Sequence, residues 1–534
     1  MHEGAEMLAK CIRDNKPLFV QIDSDADGYT SAALFINYLN CLFPSFAQNN
    51  ISYCLHSGKQ HGLSLDTIPP GTGLVVAPDS SSNDYEIHDI LHNNYGMDIL
   101  VLDHHEADYV SENACVINNQ LCEYPTKSLS GVGIVYKFCS YIDTLMNTTY
   151  ADDFLDLVAL GLIADMMDMR DFETRHLITR GLENIQNPYF KAMVEKNAFS
   201  LNGENTPIGI AFYIAPYINA TVRMGTQAEK MLLFESMLDY KAYELLPSTK
   251  RGCKGQTESR VEQACRTCSN IKNRQTRSRD TALETIENLI EENQLLNNKI
   301  LSIQLEPQYA VDKNLTGLIA NQLMAKYQRP VMILNKVNQD DNTITWEGSA
   351  RGYDKSKLKN FRAFMNDTGL ALYAQGHPNA CGVGISNDNY MRFINHTNIL
   401  LEDFDFSPCY NVDFIFNGDN FNGADIIKIA ELKPLWGQGI EEAYIALENI
   451  RITPDNITLM SADKNPTLKI QLPNGTSLIK FKSSQEEYEN LKPQSGCYTL
   501  TVVGKCESNT WMGRTTPQII IEEYEKVGSM KYYF

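Results

Sequence analysis

Short apolar runs alternate with helically spaced stretches through the first two hundred residues. PLFVQID (17–23), GLVVAPD (73–79) and MDILVLDHH (97–105) each read as a buried strand of four to six residues. Between them lie helix-like stretches such as Thr30 to Leu42. That alternation predicts an α/β fold, a parallel sheet with crossover helices. FLDLVALGLIADMMDM (154–169) is apolar and then acidic, and is read as a helix. From Glu258 to Asn298 the spacing stays helical with few breakers, which predicts helices bridging two lobes. KILSIQL, RPVMILNKV and ITWEGSARG then read as strands, and AQGHPNACGVGIS (374–386) as a Gly-rich turn entering another. From about Arg451 the pattern is strand and turn, with the hairpin signal PNGT between PTLKIQL and SLIKFK. Several short strands in that tail suggest a small barrel or sandwich, with the OB-fold as one candidate.

The polar residues that punctuate this pattern are not random. All three early strands end in aspartate, at Asp23, Asp79 and Asp103. In open α/β sheets the ligand crevice lies outside the carboxyl ends of the strands. Three acids at three such ends therefore converge, with Asp25 and Asp27 beside the first. Mutual repulsion among them calls for positive charge.

Composition narrows the setting. Of 534 residues, 43% are hydrophobic and 21% charged, as in ordinary globular proteins. No run of about 18 apolar residues suggests a membrane span, and the N-terminus lacks a basic segment followed by an apolar one, so no signal peptide is expected. Thirteen scattered cysteines fit free thiols in a reducing cytoplasm. The net charge of −20 argues against general nucleic-acid stickiness. Yet nine Lys/Arg fall between Lys250 and Arg279 against Glu258 and Glu262. Such a cluster reads either as a solvated helix face or as a groove that tracks phosphates.

Asp103-His104-His105 is the sharpest local signal. Oxygen-rich sites with one or two imidazoles suit Mn²⁺ or Mg²⁺ better than thiolate-seeking zinc. Several carboxylates in one crevice imply two ions, which about 4 Å apart can clamp a phosphoryl group and activate water. Each acid alone would pass for a helix cap or turn residue; four segments with one logic would not.

DSDADG, APDSS, VLDHHE and GLIADMMDM resemble the four motifs of the DHH phosphoesterases, and QGHPNACGVGIS resembles the glycine-histidine motif of their associated second domain. Within that superfamily the chain is most similar to the RecJ group of single-strand-specific DNA exonucleases. AFYIAPYINATVRMG (211–225), LKPLWGQGIEEAYI (432–445) and NTWMGRTTPQIIIEEYE (509–525) extend the resemblance over nearly the whole chain. It implies a DHH catalytic domain (1–225), bridging helices (226–299), a DHH-associated substrate-binding domain (300–400), a connector (401–450) and a C-terminal OB-fold (451–534).

The resemblance assigns roles. Asp23, Asp25, Asp27, Asp79, His104 and Asp165 match metal ligands, with Asp79 bridging both ions. Asp103 and His105 would orient the site and touch the phosphate. Gly376 and His377 would approach the scissile phosphate, and Arg351 and Arg223 would hold the strand backbone by bidentate contact. Arg274, Arg277 and Arg279 would line the strand's path. In the OB-fold, Trp511 and Arg514 are candidates for stacking and backbone charge, although Trp511 fits a core position equally well. Departures touch substrate fit more than catalysis: Gln375 and Cys381 stand where glycine and alanine are common, and Ser80-Ser81 follow Asp79 without the usual glycine. Asp168 is an extra acid without a role.

Two local features are set aside. CRTC with Cys253 offers three thiols where zinc needs four ligands, so free thiols on a helix are expected. SLSGVGIVYKF lacks the preceding strand and the spacing of a dinucleotide fingerprint and should pack a helix closely against the sheet. The expected protein is a Mn²⁺- or Mg²⁺-dependent exonuclease degrading single-stranded DNA from the 5′ end in repair and recombination. A helicase or single-strand-binding protein is its expected partner. Two alternatives stand beside it: a DHH phosphodiesterase for short oligonucleotides or cyclic dinucleotides, and an inactive replication scaffold.

Overall fold

The computed structural model describes residues 1–58, 60–339, 343–461 and 465–530, the side chains of 511 and 528–530 excepted. It divides into two compact units. One joins Met1–Lys272 to Val412–Phe534, and the other is Asn273–Asn411.

The first unit opens with five parallel strands: β1 (Leu18–Ile22), β2 (Ile51–Leu55), β3 (Leu74–Pro78), β4 (Asp98–Asp103) and β5 (Cys115–Asn118), in the order β2-β1-β3-β4-β5. Strands β1 and β3 are buried along their whole length, as befits a parallel sheet covered on both faces. Val20, Ile22, Val76, Leu100 and Leu102 face the core beneath the helix Ala26–Leu42. Phe19, Val75, Ala77, Ile99 and Val101 face the opposite layer with Leu63 and Leu91. The three predicted strands are present. β2 and β5 went unread because ISYCL and CVIN are short and partly polar.

The chain leaves β1 to one side for β2 and to the other for β3. The sheet's switch point therefore lies between β1 and β3, where doubly wound folds open their crevice. The helix expected from Thr30 begins earlier, at Ala26, so Asp25 is its N-cap and Asp27 lies in its first turn. FLDLVALGLIADMMDM folds as the helix Leu155–Ala164, followed by a loop. A small hairpin, β6 (Leu245–Pro247) and β7 (Thr257–Ser259), precedes the 33-residue helix Arg260–Glu292, so one continuous helix stands where several were expected.

The second unit holds a mixed sheet of β8 (Leu301–Leu305), β9 (Val331–Asn338), β10 (Ile344–Arg351), β11 (Tyr373–His377) and β12 (Ala380–Ser386), in the order β11-β12-β10-β9-β8. The Gly-rich stretch 374–386 is mostly strand, the β11–β12 hairpin with its turn at Pro378-Asn379. Trp346, Phe361 and Phe393 anchor this unit's core.

The C-terminal part of the first unit is a seven-stranded sheet: β13 (Phe414–Asn417), β14 (Tyr444–Ile452), β15 (Ile457–Met460), β16 (Thr467–Gln471), β17 (Ser477–Lys480), β18 (Cys497–Trp511) and β19 (Arg514–Met530), in the order β13-β14-β18-β19-β17-β16-β15. It encloses its own core around Leu447, Ile470, Leu478 and Val502. Strand β14 crosses the boundary expected at 451, and β13 pairs with it in parallel from Phe414. No helix among the described residues is long and apolar enough to cross a membrane.

Candidate metal centre

Strand β1 delivers Asp23 to the carboxyl edge of the sheet, and the helix that follows delivers the next two acids. Asp25 caps that helix by accepting the Gly28 N–H at 2.9 Å. Gly28 is required here, since a Cβ would stand 2.8 Å from the Asp23 carbonyl oxygen. One strand across, Asp79 follows β3 in the left-handed region (φ 66°) with its N–H on the Leu102 carbonyl at 2.8 Å. Gly131 opens the helix Gly131–Met146 against Asp79; a Cβ there would stand 2.4 Å from Asp79 Oδ1. SLSGVGIVYKF thus packs closely, as expected, and it packs against this acid.

The acids and imidazoles form three overlapping groups: Asp23, Asp25 and Asp79; Asp27, His104 and Asp165; and Asp79, His104 and His105. Within each, one ligand atom per residue lies within 4.8 Å of the others. His104 and Asp79 each belong to two of these groups, and His104 Nε2 lies 3.3 Å from Asp79 Oδ1 and 3.5 Å from Asp165 Oδ2. The structure therefore brings together the six residues expected to hold metal.

The donor set fits divalent cations. Both Asp79 carboxylate oxygens and Asp27 Oδ2 are buried without a hydrogen-bond partner in the protein, a costly arrangement for isolated carboxylates. Burial pushes the Asp79 and Asp27 carboxyls up, and neighbouring acids push Asp79 further. Burial with Asp27 and Asp25 raises Asp165 to about 8. Cations would reverse that logic, and carboxylate oxygens with imidazole nitrogens suit Mn²⁺ or Mg²⁺.

Asp103 acts on its neighbours. It accepts the His104 N–H at 2.7 Å and the Ser82 N–H at 3.0 Å, and its Oδ1 lies 2.7 Å from His105 Nδ1. Burial alone would push its carboxyl up, but the His105 and Ser82 bonds hold it well below the usual range. The same bond raises His105 to about 9. Asn118, at the end of β5, donates to the His105 carbonyl at 2.8 Å and the Ser82 hydroxyl at 2.9 Å.

Three supporting residues escaped sequence reading. His61 Nδ1 stands 2.6 Å from Asp23 Oδ2, Ser130 donates to Asp27 Oδ1 at 2.8 Å, and Asn118 braces the His105 loop. The signal for His61 was present: ISYCLHSGKQHG places it in the loop after the unread strand β2, next to β1.

The expected substrate residues belong to both units. Arg223 is exposed near the end of the helix Ala215–Met224. Arg514 is exposed on the β18–β19 hairpin, while the Trp511 side chain lies outside the described residues. In the second unit, Arg351 and His377 both pair across to Ala380, and Gly376 (φ 124°) accepts a hydrogen bond from Arg362.

Much of the basic stretch is paired with acids within the protein. Lys250 and Arg266 pair with buried Glu258, Arg260 with Glu235 and Glu244, and Arg279 with Asp280. Arg277 instead lines a cavity of about 680 Å³ with Thr281, Tyr309 and Asp312, and Arg274 lies one turn earlier on the same helix. Cys265 and Cys268 are buried in the first unit's core, as expected of free thiols.

Comparison with known proteins meets this geometry from outside. The model of the DHH family, N-terminal domain, matches residues 17–162, and that of the RecJ OB domain matches 412–523. The chain is 38% identical over 529 residues to the SPbeta prophage-derived protein YorK of Bacillus subtilis (strain 168), named as a single-strand DNA-specific exonuclease; the match covers 98% of this chain and 90% of that protein. It is 23% identical to the single-stranded-DNA-specific exonuclease RecJ of the same organism, over 98% of this chain and 63% of that protein. Among solved structures, RecJ in complex with Mn²⁺ from Thermus thermophilus superposes with a TM-score of 0.70 at 17% identity, over 99% of this chain and 72% of that one.

A DHH N-terminal domain and a RecJ OB domain on one chain define a class of phosphoesterase-like proteins. The chain belongs to the RecJ family of single-strand DNA-specific exonucleases within that class.

Proposed function

We propose that this RecJ-family chain hydrolyses phosphodiester bonds of single-stranded DNA, proceeding from the 5′ end with two divalent cations, Mn²⁺ or Mg²⁺. The observation that carries the reading is the buried Asp79 carboxylate, which accepts no hydrogen bond in the protein and stands between two groups of potential ligands. Asp23, Asp25 and Asp79 would hold one cation, and Asp27, His104 and Asp165 the other, with Asp79 in reach of both. Such cations polarise a phosphoryl group and activate water for in-line attack.

The chain's own residues do the rest. Asp103 aims His105 and, in the metal-free protein, favours its protonated form, which would offer a donor to a phosphate oxygen. His61 steadies Asp23, and Ser130 steadies Asp27. Arg351, at the end of β10, and Gly376 and His377, on the edge strand β11, contact phosphates of the strand, and Arg274 and Arg277 contact more distant ones. Arg223 and Arg514 add charge along the strand, and the domain from 412 onward grips it. The complete acid set supports an enzyme over an inactive scaffold, and the RecJ OB domain supports a long substrate over a dinucleotide. The working compartment is the cytoplasm, with a helicase or single-strand-binding protein supplying the strand.

The test is a time course on single strands labelled at the 5′ or 3′ end, with Mn²⁺, Mg²⁺ or chelator. Early mononucleotide release from the 5′ label alone, abolished by chelator, is expected. Release from the 3′ label first would overturn the polarity, and cleavage in chelator would overturn the metal requirement.

A further inference from the structure

The loop that follows Asp165 is held by a segment that arrives from the far end of the chain. The helix Leu155–Ala164 ends at Asp165, whose N–H bonds the Gly161 carbonyl at 2.9 Å. Met166 then takes a left-handed conformation (φ 57°), and Met167 N–H returns to the Leu162 carbonyl at 3.0 Å. Three residues on, Asp168 accepts the Arg170 N–H at 2.9 Å and pairs with its guanidinium.

Against this turn lies Trp436-Gly437-Gln438-Gly439-Ile440, just before β14. The Gln438 carbonyl accepts the Met169 N–H at 2.8 Å. Gly437 and Ile440 bridge one another by paired backbone bonds of 2.9 and 3.1 Å. Ile440 packs against the hydrophobic core that underlies the acidic centre. A side chain at either glycine would have to displace a neighbour: a Cβ on Gly437 would stand 2.2 Å from Met169 Sδ, and one on Gly439 would stand 2.0 Å from Asp168 Oδ1. Gly439 also needs its freedom for a φ of 80°.

We infer that the 436–440 segment is a strap that positions Asp165 by fixing the loop behind it, so that the C-terminal domain helps set cation affinity. Gly437, Gly439 and Asp168 are positioning residues in this account. The inference rests on the proposed reading of Asp165 as a cation ligand. It gives Asp168 the role that the sequence left open. Residues that orient a ligand affect metal affinity by about 10- to 100-fold when altered, and a short backbone bond plus two glycine contacts belong at the lower end.

The experiment titrates metal-free full-length protein with Mn²⁺ alone, reading bound ion by calorimetry or by the spin resonance of free Mn²⁺. Gly439→Ala should raise the half-saturating Mn²⁺ concentration about tenfold, with turnover of a short oligonucleotide recovering at high Mn²⁺. Gly475→Ala is the control. Its φ of 88° carries the same backbone cost, but nothing lies within 4 Å of its Cβ, so Mn²⁺ binding should be unchanged. Wild-type affinity in Gly439→Ala, or an equal shift in Gly475→Ala, overturns the strap. Should Gly439→Ala fail to fold, Asp168→Ala loosens the same loop without adding an atom, and wild-type Mn²⁺ affinity in that variant overturns it too. Asp165→Asn separates the two levels: if it leaves Mn²⁺ binding intact, the ligand reading falls and takes the strap with it, whereas weakened binding in Asp165→Asn alone leaves the ligand and removes the strap.

Discussion

Asp103 Oδ1 lies 2.7 Å from His105 Nδ1 and also accepts the His104 N–H at 2.7 Å. One buried carboxylate thus fixes the ring of one histidine and the backbone of the other. The bond to Asp103 raises His105 to about 9. Because the folded value exceeds the ordinary one, the bond's contribution to stability is complete below about 6.5 and fades as pH rises through about 9. In the metal-free protein, the His105 ring followed by NMR should titrate near 9, and in Asp103→Asn it should fall toward 6.5. An unchanged titration would remove Asp103 as the cause.

Asp79→Asn should separate chemistry from folding. It keeps the shape and tolerates the left-handed backbone, but it removes a buried acid that accepts no hydrogen bond in the protein and is crowded by neighbouring acids. The metal-free variant should melt at or above the wild-type temperature, and Mn²⁺ should no longer raise that temperature as it does in the wild type. Hydrolysis should fall by about two to three orders of magnitude or more, as when a main electrostatic element is lost. Near-wild-type turnover with Mn²⁺ would refute Asp79's proposed role.

Gly131→Ala should go against helix propensity. Alanine in place of a helical glycine ordinarily stabilises by about 1 kcal/mol. Here the new methyl would meet Asp79 at its Cα, Cβ and Oδ1, all within 2.6 Å, and overpacking of this kind costs about 1–3 kcal/mol. Chemical denaturation should show a net loss, with weaker Mn²⁺ binding. A more stable variant would mean that the helix simply slides away.

Two arginines on one helix should behave differently. Arg277→Gln should raise KM for long single strands and reduce the log–log salt slope by about 0.7, one phosphate contact's share, while sparing dinucleotides. Arg266→Gln should leave the slope alone and lower the melting temperature, because Arg266 neutralises buried Glu258. Equal effects on both substrates would make Arg277 structural as well.

The sequence carried the site further than it carried the fold around it. Asp23, Asp79 and Asp103 were legible because each ends an apolar run, and a parallel sheet places such ends together. Strands β2 and β5 were not, since four or five partly polar residues give too short a period. With β2 went His61, whose meaning depends on β2 lying beside β1. The pairing of Arg260 with Glu235 and of Arg266 with Glu258 was invisible as well, because charges close in space leave a distant or ambiguous mark along the chain. The strap could be quoted as a family-like motif, yet nothing local says that Gly439 meets Asp168.

The first unit is also split in time. A ribosome finishes the five-stranded sheet and every acid of the metal centre, then makes all of Asn273–Asn411, and only afterwards supplies Gly437 to Ile440. A nascent chain stopped anywhere before that point has its full ligand set but lacks the backbone bond from Met169 to Gln438. The backbone bond behind Asp165 is thereby made only after the whole second unit has been synthesised. Products of nonsense mutations within the second unit would carry the acids without the backbone bond from Met169 to Gln438.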